Sequence, residues 1–375
     1  MSSGAAAVAP HELGGAGDIR RWTSVAVTGL LVVALLLSGL QWMYHQQSSL
    51  SALTQVSAQE IAAPDPGLVE NERWAPLTLP DKLCSSDCTS RFKIYRATIT
   101  APADSRQMAV YLPMFDGSAM VILNGYTVGR SGSMQDPIAD MTYQPTLFAL
   151  PRDHYRSGTN TLDIIVSAQV PGGGRLIPFH VGPADELESA HALVSFLTVD
   201  ILAVINGIFV VLGFCALLLY ASGDRDRLYL WFVLLLAFSA ARNLNILWPE
   251  WPETLATRNW IYLTATLGVL LSMSGLVSRF AMRSETRMDI GLVLLIVPAS
   301  ILIWYGLHAD LWANWMRTNA AIRVVGIILV PYALIRFLLH ARSLAVPVHS
   351  VIFALLAVGL VPVSYTHLTL PTKIV

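Results

Sequence analysis

Three ionisable residues fall inside stretches that are otherwise apolar: Asp200, Arg242 and Arg323. Such groups are costly within a spanning helix unless they pair or reach water, so they normally face a bundle interior. Asp200 stands about seven residues into one apolar window, Arg242 about six residues from the end of the next, and Arg323 about five residues into a later one. At about 1.5 Å of rise per residue, all three lie roughly 8 to 10 Å below the same surface. Equal depth and opposite charge predict a polar cluster in which Asp200 pairs with Arg242, Arg323 or both, with Asn206, Asn243 and Asn245 as polar neighbours. In the competing arrangement both arginines snorkel outward and Asp200 reaches headgroup water without mutual contact.

The elements that would position these residues are runs of apolar sequence. Hydrophobic residues make up 54% of the 375 and charged residues only 13%, and the mean hydropathy is +0.55. That balance is the composition of a membrane protein rather than of a soluble domain. A net charge of -1 offers no basic face to a polyanion, so nucleic acid is set aside as a partner. A first, solitary window at 22–43 follows Arg20 and Arg21 and is long enough to span a bilayer. A signal peptide has a shorter apolar core and a small-residue cleavage site. The "VSA" at Val56 to Ala58 offers such a site, yet the length of the window favours an uncleaved anchor. Six consecutive windows form an all-α bundle over 193–363, at about 193–220, 228–248, 260–282, 290–307, 318–339 and 348–363. Pro298 and Pro331 interrupt two of them.

Basic residues in short loops stay cytoplasmic. Arg20 and Arg21, then Arg225 and Arg227, then Arg279, Arg283 and Arg287, then Arg336 and Arg342 fall on one side. The opposite loops, "WPEWPETLATR" and "HADLWANWMR", carry Glu250, Glu253 and Asp310 and fewer bases. This predicts a cytoplasmic N-terminus at 1–21 and an extracytoplasmic interval at 44–192. Trp22, Trp42, Trp248, Trp251, Trp260, Trp312 and Trp315 stand at window edges, as an aromatic belt at the headgroup layer would place them.

The extracytoplasmic interval has a different period. Alternating or β-branched runs recur at "RFKIYRATIT", "QMAVYLPMF", "AMVILNG", "PTLFALP", "TLDIIVSAQV" and "RLIPFHV", between Pro, Gly, Asp and Asn clusters. They predict an all-β sandwich over 74–185, preceded by a linker at 44–73. Asn124-Gly125 within "AMVILNGYTVGRSG" marks a tight hairpin, since both residues accept positive φ. Cys84 and Cys88, outside the cytoplasm and separated by three residues, suit a small disulfide loop; a metal would need further ligands that the sequence does not supply. Cys215 lies within an apolar window. Trp74, Asn124, Tyr126 and Arg130 are the types that could hold a sugar by stacking and hydrogen bonds, and equally turn, core and surface residues of any sandwich. His154 and His180 lack a second ligand at metal-binding spacing.

With "VILNGYTVGRSG", "FALPRDHYRSGTNTLDIIV" and a bundle segment "YLWFVLLLAFSAARNL", the chain resembles the bacterial seven-transmembrane receptors with diverse intracellular signalling modules. Its sandwich resembles the jelly-roll carbohydrate-binding-like domains of such receptors and of some glycoside hydrolases. The likeness covers most of Trp74 to Pro362. It implies a seven-helix bundle in the bacterial inner membrane, a small ligand such as a carbohydrate or an envelope partner outside, and a cytoplasmic output module. Histidine kinase is the first expectation for that module, diguanylate cyclase the second, and a homodimer is implied with either. The sequence departs from this plan by its extra anchor and by stopping after six bundle windows. "VSYTHLTLPTKIV" at its end looks like translated adapter sequence, so 364–375 read as a non-native tail with the seventh helix and the output missing.

No P-loop, His-Glu-x-x-His or Gly-x-Ser-x-Gly motif is present, and the cytoplasmic loops are too short for a catalytic domain. No cofactor and no catalytic residue is therefore expected in this chain. A transporter or channel component, with Asp200, Arg242 and Arg323 along its path, is the alternative function. It would typically show internal repeats and interrupted helices, and no repeat is evident. An envelope carbohydrate enzyme would need a positioned carboxylate pair, which the sequence does not single out.

Overall fold

The computed structural model describes residues 51–65, 67, 74–83, 91–100, 106–135, 138–168, 174–222, 227–250, 254–281 and 286–343. The chain divides into a unit at 45–337 and a second made of 1–44 with 338–375, of which 338–343 are described as the end of a helix. The predicted anchor at 22–43, the last window at 348–363, the tail, and Cys84 and Cys88 lie outside the described residues.

Period-two patterns become strands throughout the first half. They are β1 (Ala52–Leu53), β2 (Gln55–Ile61), β3 (Ala75–Thr78), β4 (Asp81–Lys82), β5 (Phe92–Thr100), β6 (Met108–Leu112), β7 (Ala119–Leu123), β8 (Tyr126–Ser131), β9 (Thr146–Ala149), β10 (Thr159–Ser167), β11 (Arg175–Leu176) and β12 (Phe179–Pro183). Six of them form one antiparallel sheet in the order β3-β2-β5-β10-β7-β8, four form a second in the order β1-β12-β6-β9, and β11 pairs with β4. All six sequence runs appear among these strands. The longest pairing sets Thr159 opposite Thr100 through to Ser167 opposite Phe92.

Alternation along β5 and β10 sends Tyr95, Ala97, Ile99, Leu162, Ile164 and Val166 toward the four-stranded sheet, where they meet Val110, Leu112 and Phe179. Each large apolar side chain among them stabilises the fold by about 1.5 to 3 kcal/mol through loss of exposed apolar surface. The intervening residues Phe92, Ile94 and Ile165 build a second apolar layer with Ile61, Ile122 and Met134 on the other face of the larger sheet.

The sandwich begins earlier than the sequence pattern indicates. Strand β2 falls in the stretch read as a linker, yet it pairs with both β3 and β5. Its sequence, QVSAQEI, is half polar, but the period of two puts Val56 and Ala58 into the core. A polar composition masked a strand whose one apolar face is sufficient.

From β12 the chain passes without a loop into α1 (Ala184–Ser195), a π-helical turn at Phe196–Asp200 and α2 (Ile201–Ala221). Asp185 and Glu186 in the first turn complement the positive end of the helix dipole. Leu187 and Ala190 pack on Ala109 and Tyr111, so α1 lies against the four-stranded sheet. There follow α3 (Arg227–Leu247), α4 (Leu255–Ala281), α5 (Thr286–Ala309) and α6 (Leu311–Ser343).

Among the described residues three helical stretches are long and apolar enough to cross a membrane: Ala184–Ala221, Arg227–Leu247 and Leu255–Val277. Consecutive helices pack from α2 to α5. Most of the apolar window of α4 is buried, 67% against 11% in the first stretch, which makes α4 the hub. Two glycines allow α3 to approach it: a Cβ on Gly268 would meet the Phe238 ring at 2.4 Å, and one on Gly275 the Trp231 ring at 2.6 Å.

Candidate functional site

The loop between β8 and β9 carries polar contacts that join the sandwich to the helices. Gly132 begins it at φ +80°, and a Cβ there would crowd Met141, Ser118 and Ala139, so the turn depends on glycine. The loop is pinned to the sandwich by Met141 N donating to Gly117 O at 2.8 Å. Ser118 Oγ donates to Ser133 O at 2.8 Å and to Ala139 O at 3.1 Å.

Its outer edge meets three helices. Gln144 Nε2 donates to Ile246 O at 2.9 Å near the end of α3, and Asp140 N donates to Pro249 O at 3.2 Å. Arg258, in the first turns of α4, places Nη2 3.3 Å from Asp140 Oδ2. His191 Nε2 of α1 donates to Pro145 O at 3.1 Å.

Arg258 is 5% exposed, and each of its three nitrogens has an acceptor. Nε donates to Asn245 Oδ1 at 2.6 Å, Nη1 to Pro249 O at 3.3 Å and Nη2 to Asn245 O at 3.3 Å. The other oxygen of Asp140 accepts from Thr142 N at 3.2 Å and from the Thr142 hydroxyl. A buried guanidinium held in this way is costly to strand, because its partner and its donors are withdrawn from water together.

Further charge lies close by. Arg175 Nη2 donates to Asp116 Oδ1 at 3.3 Å. Burial pushes the Asp116 carboxyl above the usual carboxylate range, with Arg175 opposing and Asp140 adding to the rise. Burial likewise raises the Tyr143 phenol, helped by Tyr262 of α4 and by Asp140. This junction is built of charge-assisted hydrogen bonds. Among the described residues no group of three metal-ligating side chains occurs.

Asp200 ends the π-helical turn as an exposed residue, and among the described residues it forms no ion pair with Arg242 or Arg323. Arg242 is half-buried in α3. Arg323 in α6 has its Nε buried without a hydrogen-bond partner. Of the expected polar neighbours, Asn243 Nδ2 donates to Asn206 Oδ1 at 3.3 Å, linking α3 to α2, and Asn245 serves Arg258.

On the sandwich, two of the four sugar-binding candidates, Asn124 and Tyr126, both meet His154. Asn124 takes φ 52° at the hairpin turn, and its side chain is consumed by His154 O, Asn160 Oδ1 and Thr161 N. Tyr126 stacks on His154 with centroids 3.6 Å apart, and Arg130 is exposed on β8. Trp74 lies at the second apolar layer, where the Arg96 guanidinium sits 4.1 Å from its ring centroid. His180 is buried, stacked on Tyr111, with Nδ1 donating to Ser51 O at 3.2 Å. Cys215 is a free, exposed thiol.

Arg258 and Asp140 were not singled out from sequence. Arg258 stands in "WPEWPETLATR" as one base in a loop, far along the chain from Asp140. A usable signal was present in the single arginine followed at once by the apolar run of α4.

No protein-family model matches the sequence, and no curated protein matches it. Solved structures with a likeness include a Bacteroides uniformis β-glucuronidase 2 bound to cyclophellitol-6-carboxylate aziridine, with 17% identity and a TM-score of 0.28, covering 35% of this chain and 17% of that one. A β-glycosidase from Bacteroides vulgatus shows 13% identity and a TM-score of 0.28, covering 36% and 20%. A glycosyl hydrolase family 2 member from Bacteroides cellulosilyticus shows 14% identity and a TM-score of 0.28, covering 36% and 20%. The chain thus spans about a fifth of the length of the enzymes it matches.

Proposed function

We propose that this chain is the sensing part of a bacterial membrane receptor. In this reading an extracytoplasmic sandwich meets a small ligand, a carbohydrate among the candidates, or an envelope partner. The helices pass the event to a cytoplasmic output module, a histidine kinase before a diguanylate cyclase. The full architecture would be an anchor at 22–43, a periplasmic interval at 44–192 and six spanning helices of a seven-helix bundle in the inner membrane, assembled as a homodimer.

The observation that supports this reading is the continuity between the two halves. The last strand runs directly into α1, and the loop at 138–145 bonds to α1, α3 and α4. A domain that merely decorated the membrane would need only a tether. A tightly joined domain can bias the helices, which is what a signal requires.

The test has two parts. Single cysteines at Ser133 and Ser157 in a Cys-free background should react with an impermeant maleimide on intact cells, and one at Ser222 only after permeabilisation. The complete protein in vesicles should then show ligand-dependent phosphorylation or cyclase activity. Labelling in the reverse order removes the topology, and solute uptake without any such activity turns the assignment to a transporter.

A further inference from the structure

We infer that the loop at 138–145 is the coupling element of the molecule, through which the arrangement of the β7–β8 hairpin sets the stability of the corner between α3 and α4. The inference rests on the receptor reading only for its purpose; the coupling itself is a physical claim about this chain.

Two sets of contacts meet in this one short segment. On the sandwich side Met141 N is held by Gly117 O, and Ala139 O and Ser133 O are held by the Ser118 hydroxyl. Gly117 and Ser118 lead into β7, and Ser133 follows β8, so this set reports the position of both hairpin strands. On the helix side Asp140 and Gln144 hold Arg258, Pro249 O and Ile246 O. The two sets use different residues of the loop. Between them lie only a few peptide units, so a shift at one end strains the bonds at the other.

The helix side is also the one with most to lose. Arg258 is buried, and its carboxylate partner among the described residues is Asp140 on the sandwich. Loss of Asp140 would leave the buried guanidinium with neutral acceptors alone, which favours local opening of the first turns of α4. Coupling of this kind needs an element whose equilibrium both sides bias. The corner between α3 and α4 meets that need, because it joins two helix ends and is held from outside by the loop.

The experiment is hydrogen exchange on the full chain in lipid nanodiscs, reading peptides over 244–260. These include the amides of Trp248 and Arg258, bonded to Leu244 O at 2.9 Å and Thr254 O at 3.1 Å. Asp140→Ala should raise exchange at the corner by roughly tenfold, the effect of removing the carboxylate that stands 3.3 Å from a buried guanidinium. Ser118→Ala alters only the sandwich set, and it should raise corner exchange severalfold. The double variant should rise by less than the two single effects combined, because Asp140→Ala removes one of the loop's links to the corner and leaves Gln144 and the residue-140 amide to carry the rest. Should Asp140→Ala not assemble, Gln144→Ala with and without Ser118→Ala is read in the same way.

Corner exchange that ignores Ser118→Ala, or that rises additively in the double variant, overturns the coupling. The receptor reading fails separately, if the complete protein shows no ligand-dependent output while the corner still responds.

Discussion

Arg96 grips Asp163 through two hydrogen bonds, Nε to Oδ1 at 2.7 Å and Nη2 to Oδ2 at 2.8 Å, across adjacent strands of the larger sheet. The pair is at matching register positions on β5 and β10, and the same guanidinium lies over Trp74. Asp163 is buried while Arg96 is about a third exposed, so the carboxylate depends on the pair more than the base does. Arg96→Ala should destabilise the sandwich by about 3 kcal/mol, because it strands a buried charge. The double replacement Arg96→Met with Asp163→Leu should cost less than Arg96→Ala. Thermal melting of the three proteins tests this, and equal losses in the single and double variants would contradict it.

His180 gives the sandwich a pH dependence of defined sign. Burial disfavours its charged form, so its folded pKa lies below the ordinary value of 6.5. Between the two values the unfolded chain takes up a proton that the folded chain refuses. The neutral ring's contribution is therefore intact above pH 6.5 and is lost as the pH falls through that value toward the folded pKa. His180→Phe keeps a ring against Tyr111 and removes the titration. The melting temperature of the wild type should drop more than that of the variant between about pH 7.5 and about pH 5.5.

Asn124 is a turn residue, and its variants should separate backbone from side chain. Asn124→Gly keeps the positive φ and loses the bonds to His154, Asn160 and Thr161. Asn124→Ala loses both and should be the less stable of the two by about 1 kcal/mol. Chemical denaturation of the sandwich would show the order wild type, glycine, alanine; an alanine variant at least as stable as the glycine one would refute it.

Gly275 should not tolerate a methyl group. The Trp231 ring lies 2.6 Å from where a Cβ would stand, so Gly275→Ala must push α3 from α4, at about 1 to 3 kcal/mol. Gly213→Ala in α2 is the control, since its nearest neighbour would be Leu236 Cβ at 3.8 Å. There the better helix propensity of alanine should prevail. Thermal aggregation in detergent ranks the two, and equal loss would remove the packing argument.

Much of the architecture was open to a reading of local pattern. The period of two in "RFKIYRATIT" and "TLDIIVSAQV", the Asn124-Gly125 turn, and the long apolar runs that became α2, α3 and α4 are each set by a few neighbouring residues. Strand β2 escaped because only its inward residues are apolar, and composition averages over both faces.

The site was less accessible. A constant rise per residue assigned Asp200, Arg242 and Arg323 a common depth, but a pair also needs matching azimuth and neighbouring helices. Those depend on how α2, α3 and α6 pack and on the π-helical turn before α2, and the result leaves Asp200 exposed. The Asp140 to Arg258 contact shows the other side of the same limit. The sequence by itself determined most of the strands, β2 excepted, and the apolar helices, because hydrogen-bond period and side-chain hydrophobicity act over a few residues. Which charges meet was decided only by the tertiary structure, because contact between distant residues depends on how whole elements pack and turn.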